Sequence, residues 1–256
     1  MFSNIALLVL MATAALAAPH ASQLEDRSTG GKVQNGAIAR FDNTNIKDGI
    51  GGGRDEYHMY YGDGSTGAGW PDKSKWVSFE DMFNNNKGSM FNSCSQWGVP
   101  NNSDPEVGAI WDGIQKVASE TGVDHRFILA IIMQESSGCV RVIPTGGANH
   151  RNPGLMQDHN GGRTCNENHN LQTPCPKSTI EQMIREGTAG TRDGDGLAQC
   201  LNAAGRSDVS AYYRAARMYN SGDIPGDLNS DGTRCYANDI ANRLTGWVNA
   251  GSKCNL

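Results

Sequence analysis

Apolar residues after position 103 recur with the period of an α-helix. Ser103 precedes the first run and Pro105 stands in its first turn, and both are typical signals of a helix start. The apolar positions that follow lie three or four residues apart. They are Val107, Ile110, Trp111, Ile114, Val117 and Ala118. The spacing predicts an amphipathic helix that begins near 103 and turns one face to a core.

The next segment is apolar on every side. Residues 127–133 form an unbroken apolar run between Arg126 and Gln134, and Asp124 is placed to cap a helix there. A strand is the competing interpretation, but the capping Asp124 and the Gly138 beyond the run favour a helix. A helix without a polar face should be buried on all sides. We therefore expect it at the centre of the fold.

Three more helices are predicted at 178–186, 208–218 and 236–248. The first opens with the capping-box pattern Ser178-Thr179-Ile180-Glu181. A loop of unusual length, 138–177, stands before it, and loops this long are usually functional or disordered. The chain is therefore predicted to be mainly α, a helical bundle around a buried central helix with long loops.

The number and positions of the cysteines predict that disulfide bonds cross-link these loops. The chain has seven of them, and Cys139, Cys165 and Cys175 fall in the long loop. In an oxidising compartment the default is disulfide pairing, and an odd count leaves one cysteine over.

The first 17 residues have the pattern of a signal peptide. An apolar run at 5–11 leads to Ala15-Leu16-Ala17, which fits a signal-peptidase site before Ala18. The run is too short to span a membrane. We expect a secreted, extracellular protein whose residues 18–55 form a flexible leader or propeptide, followed by one domain at 56–256.

An aromatic-rich stretch at 56–100 opens that domain. Its rings either form a platform on which sugars stack or pack beneath irregular loops, and packing is the interpretation we favour. The aromatic residues are Tyr57, Tyr60, Tyr61, Trp70, Trp76, Phe79 and Phe83.

Composition and charge narrow the class of partner. With 38% hydrophobic residues the chain can bury a core, and its net charge of −5 argues against a nucleic-acid partner and against capture by an anionic membrane. The segment Asp227–Gly232 matches the first half of a calcium loop, but Asn238 stands where the loop needs a bidentate Glu. We predict a monomer with no metal and no cofactor.

Glu135 is the residue best placed for chemistry. It ends the most apolar helix of the chain, where partial burial disfavours its charged form and raises its pKa. A carboxylic acid that is still protonated near neutral pH can donate its proton to a leaving oxygen. The alternative is an ordinary glutamate at a helix end, turned toward water.

Three motifs in order strengthen the catalytic interpretation. After Glu135-Ser136 come Asn152-Pro153-Gly154-Leu155-Met156-Gln157 and then Met218-Tyr219-Asn220-Ser221-Gly222. Together they resemble the soluble lytic transglycosylase and goose-type lysozyme superfamily, and Tyr236 before the last helix is similar to that family's next element. The resemblance covers about 125–245, with a family-like core at 103–250, and leaves 56–100 unaccounted for. It implies an α+β, lysozyme-like fold.

The resemblance also implies roles in a sugar cleft. Glu135 would be the general acid and base. Ser136 would support Glu135 or the substrate by hydrogen bonding, Gly154 would let the backbone approach a sugar closely, and Tyr219 with Asn220 would orient Glu135 or an N-acetyl group. The implied substrate-binding positions are Ser136, Gly154, Leu155, Met156, Gln157, Tyr219 and Asn220.

The second carboxylate that glycosidases use is less evident. No Asp or Glu stands between Ser136 and Pro153, and Asp158 is the candidate second acid. Either Asp158 positions a water, or Glu135 acts alone and a sugar hydroxyl attacks internally to leave an anhydro-sugar end.

The sequence thus predicts a secreted enzyme with a polysaccharide substrate. It would cleave β-1,4 linkages in an N-acetylglucosamine-containing polymer, either peptidoglycan or chitin. The alternative is a non-catalytic glycan-binding or effector protein on the same fold.

Overall fold

The computed structural model describes residues 31–36, 38, 45–147, 150–230 and 232–255. The predicted signal peptide lies outside the described residues, and so does Asp231 of the partial calcium loop.

The described residues are mainly helical, as predicted, and contain seven α-helices and two short antiparallel hairpins. The helices are α1 Phe79–Asn92, α2 Asp104–Thr121, α3 His125–Ser136, α4 Lys177–Ala189, α5 Leu197–Ala203, α6 Ser210–Ser221 and α7 Tyr236–Thr245. The strands are β1 Thr145–Gly147 paired with β2 His150–Asn152, and β3 Asn166–Glu167 paired with β4 Asn170–Leu171. Within this part of the chain no helix is both long and apolar enough to cross a bilayer.

Helix α3 is the buried central helix that the apolar run predicts. Every side chain from Phe127 to Met133 is at most 2% exposed. The carboxylate of Asp124 caps the helix by accepting the N–H of Arg126 at 2.9 Å. Helices α1, α2 and α7 pack around α3. This packing places the polar end of α3, which carries Glu135, at the edge of the core.

Helix α1 was not predicted from the sequence, which indicated irregular loops in this region. Ser78 caps it by accepting the N–H of Asp81 at 3.1 Å. Phe79 and Phe83 on α1 and Trp76 before it are at most 1% exposed. The aromatic stretch therefore packs the core rather than offering these rings to a ligand.

The bounds of the three later helices also differ from the predicted ones: α4 ends at Ala189 instead of 186, and α6 runs from Ser210 to Ser221 instead of 208–218. Helix α4 begins at Lys177 behind Pro176, and its start shows no side-chain cap, so the predicted capping box is wrong. Helix α7 ends at Thr245 instead of 248, because Gly246 follows in a left-handed conformation with φ of 115°. A Cβ on Gly246 would lie 3.0 Å from the backbone of Arg54, so this close approach needs glycine.

Three disulfides staple the domain, as predicted, and the seventh cysteine, Cys200, is free and buried. The pairs are Cys94–Cys139, Cys165–Cys175 and Cys235–Cys254. The first joins the region after α1 to the region after α3, and the second closes ten residues within the long loop. Three intramolecular disulfides are compatible with an extracellular protein.

The described part of the segment predicted as a leader contacts the domain. The N–H of Gly31 donates to the carbonyl of Ala189 at 2.8 Å, and the N–H of Ile50 donates to the carbonyl of Trp76 at 3.0 Å. The side chain of Ile38 is 1% exposed. Gly31 and Ile50 are thus hydrogen-bonded to the domain, and Ile38 is part of its buried core.

Candidate active site

A cleft of about 680 Å³ opens beside the end of α3. The hairpin β1–β2, the loop between α4 and α5, and the second half of α6 form its other walls. Side chains that line the cleft include Glu135, His150, Gln157, Asp195, Tyr219 and Asn220. Some residues of each of the three sequence motifs therefore line one cavity.

Glu135 is half-buried in the last turn of α3, on the wall of the cleft. Burial raises the pKa of its carboxyl from an ordinary 4.5 to about 7, while a hydrogen bond from the Tyr236 hydroxyl to Oε1 opposes the rise. Since Tyr236 occupies Oε1, Oε2 is left to carry the acidic proton. This carboxyl can hold a proton near neutral pH and give it to a bound oxygen.

Tyr236 is a site residue that the sequence analysis noted only as part of a motif. It is 2% exposed at the first position of α7. Burial and then the charge of Glu135 keep its pKa well above the usual range, so its hydroxyl remains a donor. The guanidinium of the buried Arg217 lies 6.0 Å from the centre of the ring.

Tyr236→Phe should raise the pKa of Glu135, because the hydrogen bond that it removes favours the ionised carboxylate. A rise of about one pH unit is typical for one lost charge-assisted bond. Carbon-13 NMR titration of labelled glutamate would measure it. An unchanged titration midpoint of Glu135 would contradict the hydrogen bond between Tyr236 and Glu135.

The segment from Gly154 to Met156 lies under the cleft instead of in it. Gly154 has a left-handed φ of 75°, and a Cβ there would come within 2.9 Å of the Arg163 carbonyl and the Met183 sulfur. Leu155 and Met156 are 0% exposed. Glycine is thus needed for loop packing rather than for approach to a sugar, and this part of the predicted substrate-binding set is corrected.

Ser136 also differs from its predicted role. Its side chain is 1% exposed, and its hydroxyl lies 2.8 Å from the carbonyl oxygen of Leu155. The bond ties the end of α3 to the 154–157 segment. Ser136 therefore fixes the floor of the cleft, with its hydroxyl turned to the carbonyls of Ile132 and Leu155.

Gln157 lies on the cleft and holds the hairpin in place. Its Oε1 accepts from the N–H and the hydroxyl of Thr145, at 3.0 and 2.8 Å, and its Nε2 donates to the Gly154 carbonyl at 3.0 Å. Gln157 has a left-handed φ of 48°. Strain of this kind is frequent at functional sites.

Tyr219 and Asn220 line the opposite wall of the cleft. The Tyr219 hydroxyl donates to the carbonyl of Met156 at 2.9 Å. Asn220 Oδ1 accepts from Arg217 and from the N–H of Thr233 at 3.0 Å. The Tyr219 bond holds α6 against the floor of the cleft, and the Asn220 amide donates to the Thr233 hydroxyl at 3.3 Å.

Asp158, the candidate second acid, does not line the cleft. It is 2% exposed, and neither carboxylate oxygen has a hydrogen-bond partner among the described residues. Burial and then the charge of Glu186 raise its pKa well above the ordinary range. A carboxyl that is buried outside the lining of the cleft is not placed to activate a water in the cavity.

Asp158→Asn should therefore leave the chemistry of the cleft intact and stabilise the protein at pH 7. A buried acid with a raised pKa loses stability as pH rises above its unfolded-state value, and an amide removes that loss. We expect a gain of roughly 1–3 kcal/mol in the free energy of unfolding, measured by urea denaturation at pH 4 and pH 7. A gain at pH 4 equal to that at pH 7 would contradict this account.

The carboxylates that do reach the cleft beside Glu135 are Asp193 and Asp195, in the loop between α4 and α5. Sequence reasoning missed both, because nothing local predicts where that loop lies. Asp193 pairs with the exposed Arg192 at 3.1 Å. The described lining includes three carboxylates and no Lys or Arg.

Two histidines form the rim on the hairpin side and were also missed. The rings of His150 and His159 are nearly parallel, with centres 5.8 Å apart. His159 packs against Gly194, where an added Cβ would lie 2.8 Å from the His159 Cβ. The pair thus joins the hairpin to the loop that carries Asp193 and Asp195.

The described residues hold no cluster of three or more His, Cys, Asp or Glu side chains arranged to bind a metal ion. No protein-family model, no curated protein and no solved structure matches the chain. A functional assignment therefore depends on the chemistry of the cleft and on its motifs.

Proposed function

We propose that the protein is a secreted, lysozyme-like enzyme that cleaves β-1,4 linkages in an N-acetylglucosamine-containing polysaccharide. The observation that carries the proposal is Glu135, a carboxyl with a pKa of about 7 on the wall of an open cleft. The order of the Glu-Ser, Gly-Leu-Met-Gln and Tyr-Asn motifs around that cleft supports the same family of glycan-cleaving enzymes.

The first chemical step uses the proton of Glu135. The carboxylic acid donates it to the glycosidic oxygen as the bond from that oxygen to C1 breaks, and the bonding electrons stay with the leaving oxygen. Positive charge develops on the sugar ring. The carboxylates of Glu135, Asp193 and Asp195 line the same cavity and would stabilise that charge.

The second step has two routes. Either a water adds to C1 and gives a new reducing end, or the C6 hydroxyl of the same sugar adds and gives an anhydro end. In the first route a second carboxylate takes the proton of the water, and the cleft offers Asp193 and Asp195 for this, not Asp158. In the second route Glu135, deprotonated by the first step, takes the hydroxyl proton back.

Two features support export of the protein. The three disulfides suit an oxidising compartment, and the first 17 residues have the pattern of a signal peptide. A polymer too large to enter a cell also requires an enzyme outside it.

The test is to incubate the full chain with peptidoglycan and with chitin oligomers and to analyse the ends by mass spectrometry. Cleavage of either polymer supports the proposal, and the end group separates hydrolysis from internal attack. Binding to a polymer without cleavage between pH 4 and pH 7 would instead support the non-catalytic glycan-binding function.

A further inference from the structure

The segment 55–61, which we call the strap, runs along helix α7, the helix that carries Tyr236. It lies outside the region of family resemblance. The Asp55 carboxylate accepts the N–H groups of Val248, Asn249 and Ala250 at 2.7 to 3.1 Å. This anchor fixes the strap to the chain just beyond the end of α7.

Next to that anchor, strap and helix are joined by a ladder of hydrogen bonds. The N–H of His58 donates to Asn242 Oδ1 at 2.7 Å, and the N–H of Tyr60 donates to Asn238 Oδ1 at 2.6 Å. Both asparagine amides donate back to the His58 carbonyl, at 2.8 and 2.9 Å. Asn238 and Asn242 are 0% exposed, so neither side chain can bind water. The bonds to the strap therefore satisfy polar groups that would otherwise be buried without a partner.

Tyr57 carries the connection through to the catalytic helix. Its hydroxyl donates to Asp239 Oδ1 at 2.5 Å, and the ring is 1% exposed against the edge of Trp247. The other oxygen of Asp239 accepts the Gln134 amide at 3.0 Å. One carboxylate oxygen of Asp239 therefore binds the strap, and the other binds α3.

The side-chain amide of Gln134 is bound at both its oxygen and its nitrogen by one face of α7. Its Oε1 accepts from Arg243 Nε at 3.0 Å, while its Nε2 donates to Asp239. Glu135 is the next residue along α3, and its Oε1 accepts from Tyr236 on α7. The same two helices are thus joined through Gln134 and, on the wall of the cleft, through the bond between Tyr236 and Glu135.

We propose that Tyr57 is a positioning residue, which holds α7 against α3 through Asp239 and Gln134 so that the Tyr236 hydroxyl stays on Glu135. Its relevance to catalysis rests on the proposed function of Glu135. The aromatic stretch that the family motifs leave unaccounted for thereby has a role in the site without touching a sugar.

The test follows the titration of Glu135 itself by carbon-13 NMR in the full chain. Loss of the Tyr57 hydroxyl loosens α7, so the Tyr236 bond is made for less of the time and the midpoint of Glu135 moves up. For Tyr57→Phe we expect a rise of about half a pH unit, against about one for Tyr236→Phe. Gln134→Met removes the α3 side of the same connection and should act in the same direction. The other groups that face Glu135, Tyr219 on α6 and the cleft carboxylates, are untouched by these changes.

Tyr61→Phe is the matched control, because that ring is 51% exposed on the same strap. Its titration should equal that of the wild type. If Tyr57→Phe and Gln134→Met both titrate like Tyr61→Phe while Tyr236→Phe moves the midpoint, the positioning role is overturned. If Tyr57→Phe fails to fold, the titration of Gln134→Met alone tests the positioning role.

The NMR readout also separates this inference from the proposed function. A chain that shows the expected pattern but cleaves no glycan keeps the positioning role and loses the enzymatic one. In an active enzyme, Tyr57→Phe should lower kcat several-fold with KM unchanged, and the basic limb of the pH profile should move upward. Loss of activity through KM alone would contradict positioning of the acid.

Discussion

Glu135→Gln should abolish glycan cleavage, with a loss of about 10³-fold or more in kcat. The amide keeps the size of the side chain and can still accept the Tyr236 hydrogen bond, but it has no proton to give to the leaving oxygen. General acid catalysis is typically worth 10² to 10⁴-fold. Product formation from chitin oligomers or peptidoglycan, followed by mass spectrometry, measures the loss.

The same variant should be more stable than the wild type at pH 7, which excludes misfolding as the cause of inactivity. The folded protein binds the Glu135 proton more tightly than the unfolded chain, because the pKa is about 7 in the fold and 4.5 ordinarily. The contribution of Glu135 to the free energy of unfolding is therefore largest below about pH 4.5, and it falls as pH rises toward 7. Glutamine removes that fall, for a gain of at most about 3 kcal/mol at pH 7. A variant less stable than the wild type at pH 7 would contradict the account.

Glu106→Gln should lower the free energy of unfolding by about 3 kcal/mol, because it breaks a buried ion pair from one side. Glu106 pairs with Arg141, and both side chains are at most 3% exposed. Its carboxylate also accepts the N–H of Ser103 at 2.7 Å and that of Cys175 at 2.6 Å. The pair thus joins the start of α2 to both ends of the long loop that forms one wall of the cleft.

The pH dependence of that loss has a definite sign. Burial alone would raise the pKa of Glu106, but the two N–H groups and the charge of Arg141 lower it overall. Its stabilisation is present above the ordinary pKa and is lost as pH falls, so variant and wild type should converge in acid. Glu181→Gln, which breaks partly exposed pairs with Lys116 and Arg185, is the control and should cost less than about 1 kcal/mol. Equal losses in the two variants would contradict the buried-pair argument.

Helices with a clear apolar period could be predicted, and those without one could not. The unbroken run at 127–133 predicts a buried helix because it has no polar face, and α3 has that burial. Helix α1 was missed since three consecutive asparagines, Asn84 to Asn86, and Gly88 are weak helix formers. Its buried Phe79, Met82, Phe83 and Met90 nevertheless keep the helical spacing, and together with the cap at Ser78 they were the available signal.

The partial burial of Glu135 could be predicted from its place at the end of an apolar helix, whereas the rest of the site depends on distant packing. That place alone also allows a glutamate turned toward water, and the packing of Tyr236 on α7 against Glu135 decides between the two. Which side of the Gly154–Gln157 segment faces the cleft depends on its packing against Met183 of α4. Whether Asp195 lines the cleft depends on the path of the loop between α4 and α5. Tyr236 could have been singled out from its place in the motif, but its bond to Glu135 needs the packing of α7 on α3.

The most direct test of the central claim compares wild type and Glu135→Gln on one soluble chitin oligomer and one peptidoglycan fragment, with the pH of each reaction varied from 4 to 8. The wild type should release shorter chains from at least one of them, with a rate that falls on the basic side with a midpoint near 7, and the variant should release none. Equal release by both proteins, or a wild-type rate that is flat through pH 7, would contradict Glu135 as the acid.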